Sequence, residues 1–225
     1  MGLLLAPASQ LKLHDTSHTI SNLPDRSILV HATNCVGKWG AGFAKAVKQQ
    51  YLVADRVYVQ HCDSFGGAEA KKERLLGTSL LIPPQPEREG APAVWIACLF
   101  TSYAYGKKKD RPEEIMAQTK TALEHLRVQL EGIKEGKWTI RMRTEDDDIG
   151  GSGLRFLRPL EDEYEEPNDA TAGKLSTLPL TTPDMRIYSP RFNAGNFKVP
   201  WEDTMHSVEE IFGVWSGQWY LLGDK

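Results

Sequence analysis

Apolar residues along the chain fall into two kinds of pattern. Residues 27–32 (S-I-L-V-H-A), 79–82 and 94–101 are short runs rich in apolar and β-branched side chains. Such runs predict strands buried on both faces. Residues 10–13, 185–189 and 218–222 predict three further strands. Between them the period changes. In residues 112–130, Ile115, Met116, Thr119, Ala122, Leu123, Leu126 and Leu130 recur at spacings of three and four, which predicts an amphipathic helix. Asp110 and Glu113 read as its capping box, with Pro112 in the first turn. Residues 42–50, 53–65 and 201–212 predict other helices. Strands alternating with helices give an α/β domain with a mostly parallel sheet.

Residues 144–182 break this order. They follow no period, contain Gly and Pro, and are longer than an ordinary connection, so they read as an acidic surface insertion. Between Glu145 and Glu166 nine acids face two bases. The whole chain carries −3, so the remainder is mildly basic. That suits a small anionic ligand but is too weak for direct nucleic-acid binding.

At 225 residues, 40% apolar and 25% charged, the chain is long enough for one sizeable core and short for two. Its apolar run at 94–100 is far shorter than a bilayer needs, so no membrane association is expected. The N-terminal M-G-L-L-L-A-P is a poor secretion signal, and Ala6 departs from the myristoylation pattern. Cys35, Cys62 and Cys98 are odd in number and widely spaced, which argues for reduced thiols in a cytosolic or nuclear protein. His14 and His18 lack the further ligands that a metal site would need. A monomer is expected, with no metal and no cofactor.

Ligands of open α/β sheets sit beyond the carboxyl ends of the strands. Three segments fall there. Residues 31–42 place Gly37, Gly40 and Gly42 between a strand and a helix start, where free N–H groups suit a phosphate. The spacing is neither a Walker A loop nor G-x-G-x-x-G. Residues 189–197, after a predicted strand, could form an amide nest around an anion. Residues 103–110 carry Lys107 to Lys109 and Asp110. His31 ends an otherwise apolar strand beside the glycine loop, as a core histidine or as a proton-handling group.

Three stretches carry a resemblance: residues 31–44 (H-A-T-N-C-V-G-K-W-G-A-G-F-A), 95–102 (W-I-A-C-L-F-T-S) and 188–201 (Y-S-P-R-F-N-A-G-N-F-K-V-P-W). Together, and in this order, they resemble macro domains, in particular the small fungal-type ADP-ribose 1''-phosphate phosphatases. The resemblance spans about residues 10–215 and is weakest in the acidic insertion. It implies one three-layer α/β/α macro domain with a mixed, mostly parallel central sheet and a cleft for an ADP-ribose derivative.

The resemblance also implies roles. Asp15, with Thr16 beside it, would hold the adenine amino group, although His14 stands where the family often has Gly. Asn34 would contact the distal ribose. Gly40, Ala41 and Gly42 would wrap that ribose and its phosphate. Ser189 and the loop of Asn193, Ala194, Gly195, Asn196 and Phe197 would receive the diphosphate. His31 matches a histidine implicated in phosphatase activity, and Asp110 lies near the equivalent of a second implicated acid. The implied reaction removes the 1''-phosphate of a tRNA-splicing by-product. Two other readings are an ADP-ribosyl-glutamate ester hydrolase and a non-catalytic ADP-ribose reader. Phe197 stands where the ester hydrolases have an acid.

Overall fold

The computed structural model describes residues 11–143, 153–160 and 175–223. The acidic residues 145–148 and 161–166 lie outside that range. Six strands form the central sheet: β1 (Leu13–Thr16), β2 (Ile28–Asn34), β3 (Ser79–Ile82), β4 (Trp95–Ser102), β8 (Arg186–Ser189) and β9 (Gln218–Leu222). Their spatial order is β1-β9-β8-β2-β4-β3. Every neighbouring pair is parallel except β3 with β4. The sheet is therefore mixed and mostly parallel, as the sequence predicts.

β4 is buried at all eight positions, which explains its unbroken apolar run. Alternation along β2 and β4 divides the interior between two faces. Ile28, Val30, Ala97 and Leu99 pack with Leu123, Leu126 and Leu130 of α4 (Pro112–Lys134) and with Val208 and Phe212 of α5 (Trp201–Phe212). Leu29, Ile96, Cys98 and Phe100 pack with Val47 of α1 (Gly42–Gln50) and with Val57 and Tyr58 of α2 (Leu52–Asp63). Helices thus cover both faces. Each fully buried leucine of α4 contributes about 1.5–3 kcal/mol.

Several expectations are corrected. The first strand lies at Leu13–Thr16 rather than 10–13, because its partner β9 pairs Leu13 with Trp219 and Thr16 with Leu222. The long helix runs on to Lys134, since Gly132 and Ile133 continue its buried stripe. Its capping box is Arg111 with Glu114, not Asp110 with Glu113: the Arg111 N–H donates to the Glu114 carboxylate at 2.9 Å. A helix α3 (Ala68–Leu75) was not expected, because only Leu75 of its residues is buried.

The largest correction concerns the acidic insertion. Two of its stretches are strands, β6 (Leu154–Pro159) and β7 (Leu175–Leu178). They flank β5 (Trp138–Arg143) in a second, antiparallel sheet of order β6-β5-β7. The Gln85 side chain docks this sheet by imitating a backbone. Its Nε2 donates to the Arg155 carbonyl at 2.8 Å, and its Oε1 accepts the Arg155 N–H at 2.9 Å.

Candidate active site

The carboxyl end of β2, the start of α1 and the loop after β8 enclose a cleft of about 820 Å³. That is room for a dinucleotide-sized ligand. His31, Asn34, the segment from Gly40 to Gly42 and the loop from Asn193 to Phe197 all line it. Two of the three segments that the sequence singles out therefore meet across one cavity, and the third reaches it through Tyr105.

Asn34 shapes the first loop from within. Its Oδ1 accepts the N–H groups of Val36 (3.1 Å) and Lys38 (3.3 Å), and its Nδ2 donates to the Lys38 carbonyl (2.7 Å). The Tyr58 hydroxyl donates to the Asn34 carbonyl from below. Curling the chain this way brings Gly40, Ala41 and Gly42 to the head of α1. No side chain caps that helix and no acid lies in its first turn. Its first N–H groups and the positive end of its dipole thus face the cleft unopposed, which suits a phosphate.

The opposite wall is the loop after β8. The Asn193 side chain is buried in its base: its Nδ2 donates to Thr119 Oγ1 (2.8 Å) and its Oδ1 accepts from Thr101 Oγ1 (3.2 Å). Asn193 has φ +67°, and its carbonyl accepts the Val199 N–H. That anchorage leaves Gly195, Asn196 and Phe197 arched over the cleft. Their N–H groups have no hydrogen bond within the described residues. Successive amides in this state form an anion-receiving nest.

His31 lies at the cleft floor and is 1% exposed. Its ring meets Trp39 edge-on at 5.0 Å and Phe43 at 6.1 Å. Neither ring nitrogen has a hydrogen-bond partner among the described residues. Burial lowers its pKa to about 3, so the imidazole is neutral at pH 7. An unpartnered buried polar group is costly, which makes it conspicuous in a cleft. Cys35, next to Asn34, is no rival nucleophile: burial pushes its thiol pKa far up and keeps it protonated.

Four residues expected at the site do not line the cleft. Ser189 is fully buried, and its Oγ accepts the Trp219 indole N–H at 2.8 Å. Thr16 Oγ1 accepts the His18 N–H. Asp15 is exposed and touches the cleft only through Arg191, 3.3 Å away. Asp110 spends its carboxylate on the Tyr103 N–H at 2.6 Å. Conversely, Lys38, Phe43, Tyr105, Arg191 and Gly223 line the cleft without having been expected there. Lys38, Tyr105 and Arg191 belong to segments that the sequence singles out, and Phe43 to the stretch 31–44, whereas Gly223 carries no signal. Among the described residues no cluster of His, Cys, Asp or Glu is placed to hold a metal ion. No helix among them is long and apolar enough to cross a membrane.

No protein-family model matches the chain. Individual relatives do. The ADP-ribose 1''-phosphate phosphatase of Debaryomyces hansenii is 34% identical over 192 residues, covering 84% of each chain. That of Neosartorya fischeri is 28% identical over 224 residues, covering 91% of this chain and 92% of its own. Among solved structures, the macrodomain of Mycobacterium tuberculosis DarG superposes with a TM-score of 0.56 at 14% identity, over 96% of this chain and 99% of that one. The last likeness establishes the fold, and the first, at that identity and coverage, establishes kinship: the chain belongs to the ADP-ribose 1''-phosphate phosphatase family, built on a macro domain.

Proposed function

We propose that this protein hydrolyses ADP-ribose 1''-phosphate to ADP-ribose and inorganic phosphate. The observation that carries the reading is the pairing of two anion-receiving backbones across one cleft, with an unpartnered histidine on its floor. The nest at Gly195–Phe197 receives the diphosphate. The head of α1, with Gly40 to Gly42, receives the 1''-phosphate. The relatives named above carry the same activity in their names.

The chemistry is displacement at phosphorus. Water adds to phosphorus as the bond to the ribose 1''-oxygen breaks, and that oxygen leaves with a proton. Most of the rate enhancement comes from holding the phosphate and neutralising its charge with fixed dipoles. His31, kept neutral by burial, offers one ring nitrogen to accept a proton or hydrogen bond and one N–H to give. It is the side chain at the floor suited to orient the water or to protonate the leaving oxygen. Asp110 acts at one remove, by holding the loop that carries Tyr105. The free, buried cysteines support the expectation of a reducing, cytosolic or nuclear setting.

The test is phosphate release from ADP-ribose 1''-phosphate in the presence of EDTA, with an ADP-ribosyl-glutamate protein assayed in parallel. Release that persists in EDTA is expected. Tight ADP-ribose binding without release would make the protein a reader. Release only from the glutamyl ester would make it an ester hydrolase.

A further inference from the structure

A second cavity, of about 320 Å³, shares no lining residue with the cleft. It opens where β3, the last strand of the central sheet, meets the second sheet, between α2 and α4. Among the described residues its polar groups are His61, His125, Gln129, Arg74, Arg158, Ser79 and Thr78, and none of these residues brings a carboxylate.

The hydrogen bonds fix what these groups present. The Ser79 N–H donates to His125 Nδ1 at 2.9 Å. A nitrogen that accepts carries no proton, so the neutral ring holds its hydrogen on Nε2 and can only donate there. The Ser79 hydroxyl donates to Gln129 Oε1 at 2.9 Å, which leaves Gln129 its NH₂ group. The ring nitrogens of His61 have no hydrogen bond among the described residues, and its ring packs on Phe65 and Phe100. Arg74 lies 5.0 Å above the Phe65 ring. Neither Arg74 nor Arg158 forms an ion pair among the described residues. The local field is positive: Arg158 and His125 both disfavour the protonated form of His61, after burial itself.

Donors and cations without an acid select an anion. The apolar lining adds a second feature, because three aromatic side chains, Phe65, Phe156 and Trp138, stand in it beside Val57, Leu80, Leu81, Ile82 and Leu157, and a planar ring packs well among such groups. The volume, near the lower limit for small-ligand sites, is far below that of the cleft. We propose that this cavity is a second ligand site, for a small phosphate monoester carried on a planar ring, of mononucleotide size. The phosphate meets Arg74, Arg158 and the His125 Nε2–H, and the ring packs among the aromatic side chains. This site is independent of the hydrolytic reading of the cleft.

The experiment is a titration of the full chain with AMP, and separately with inorganic phosphate, in saturating ADP-ribose. Binding is followed through the NMR signals of the His61 and His125 rings. AMP is expected to shift both signals, with Arg74→Gln and Arg158→Gln each weakening it at least tenfold. Both arginines are exposed, so neither exchange threatens the fold, and phosphate release from the cleft should stay at the wild-type rate. The proposal is overturned if AMP moves neither ring, if both variants bind it as wild type does, or if inorganic phosphate binds as tightly as AMP. Failure of ADP-ribose 1''-phosphate hydrolysis would overturn the proposed activity but would leave the two histidine signals free to decide this site.

Discussion

The Asp110 carboxylate accepts the Tyr103 backbone N–H at 2.6 Å, while the Asp110 N–H donates to Ser102 Oγ at 3.1 Å. The Tyr103 carbonyl in turn accepts the N–H of Cys35. Asp110 therefore ties the end of β4 to its own loop, beside the start of the glycine loop, and sets where Tyr105 meets the cleft. Asparagine at this position keeps an acceptor oxygen but cannot donate a carboxylic proton. Asp110→Asn should retain most of kcat, whereas Asp110→Ala should lose about 1–3 kcal/mol of stability and raise KM. Thermal melts beside steady-state kinetics check this. A hundredfold fall in kcat for Asp110→Asn, with an unchanged melt, would make Asp110 a proton carrier instead.

His31 occupies an aromatic-walled position with both ring nitrogens unpartnered. Phenylalanine matches its shape and removes the polar atoms. His31→Phe should fold at least as stably as wild type, because exchanging an unpaired buried polar group for an apolar one of similar shape is neutral or favourable. It should still bind ADP-ribose, yet lose about 10²–10⁴ in kcat. Turnover at the wild-type rate in that variant would remove His31 from the mechanism.

The same burial makes the fold acid-sensitive. The pKa of His31 is lowered to about 3 and that of His61 to about 4 in the native chain, against about 6.5 unfolded. Below pH 6.5 the unfolded chain takes up protons that the native chain refuses. Stability from these groups is thus complete above pH 6.5 and falls as the pH drops toward the native values. At pH 5 the loss through His31 is about 2 kcal/mol. Urea unfolding at pH 7 and pH 5 should show a smaller drop for His31→Phe than for wild type. Equal drops would contradict the low native pKa.

What could be read in advance follows the range of the interactions involved. The strand at Trp95–Ser102, the glycine loop and the head of α1 are built from neighbours in sequence, so their patterns are local and visible. Asn193 is the contrary case. Its partners Thr101 and Thr119 lie 92 and 74 residues away, and nothing local marks it as a buried anchor rather than a ligand contact. The alternation of Trp138, Ile140 and Met142 with Thr139, Arg141 and Arg143 does carry a strand period. That period is hard to read because it borders an acidic stretch and its partner Leu175–Leu178 comes only across a long gap in sequence. The second cavity depends on how that sheet docks on β3, so no single segment announces it.

Gly42 stands where the two walls of the cleft touch. It has φ +55°, and a Cβ there would lie 2.7 Å from Asn196 Nδ2. Alanine would add about 1–2 kcal/mol of backbone strain and push the Asn196 amide away, disturbing both anion-receiving loops at once. Gly42→Ala should weaken ADP-ribose binding at least tenfold and lower the melting temperature. Calorimetric titration reads the first effect. An unchanged affinity would show that the head of α1 and the 195–197 nest do not hold one ligand between them.

Lys38 separates substrate from product. Its side chain runs over Gly40, and its Nζ reaches to 5.7 Å from the centre of the Tyr105 ring, across the mouth of the cleft. The other lining cation among the described residues, Arg191, is paired with Asp15 at the opposite loop. Lys38 is therefore the cation on the side where Gly40 to Gly42 would receive the 1''-phosphate. Product lacks that phosphate. Lys38→Met should raise KM for ADP-ribose 1''-phosphate about tenfold, the worth of one charge-assisted hydrogen bond. It should leave the Kd for ADP-ribose unchanged and flatten the salt dependence of KM, because the lost contact is exposed and screened by ions. Equal losses for both ligands would place Lys38 at the ribose or diphosphate rather than at the reacting phosphate.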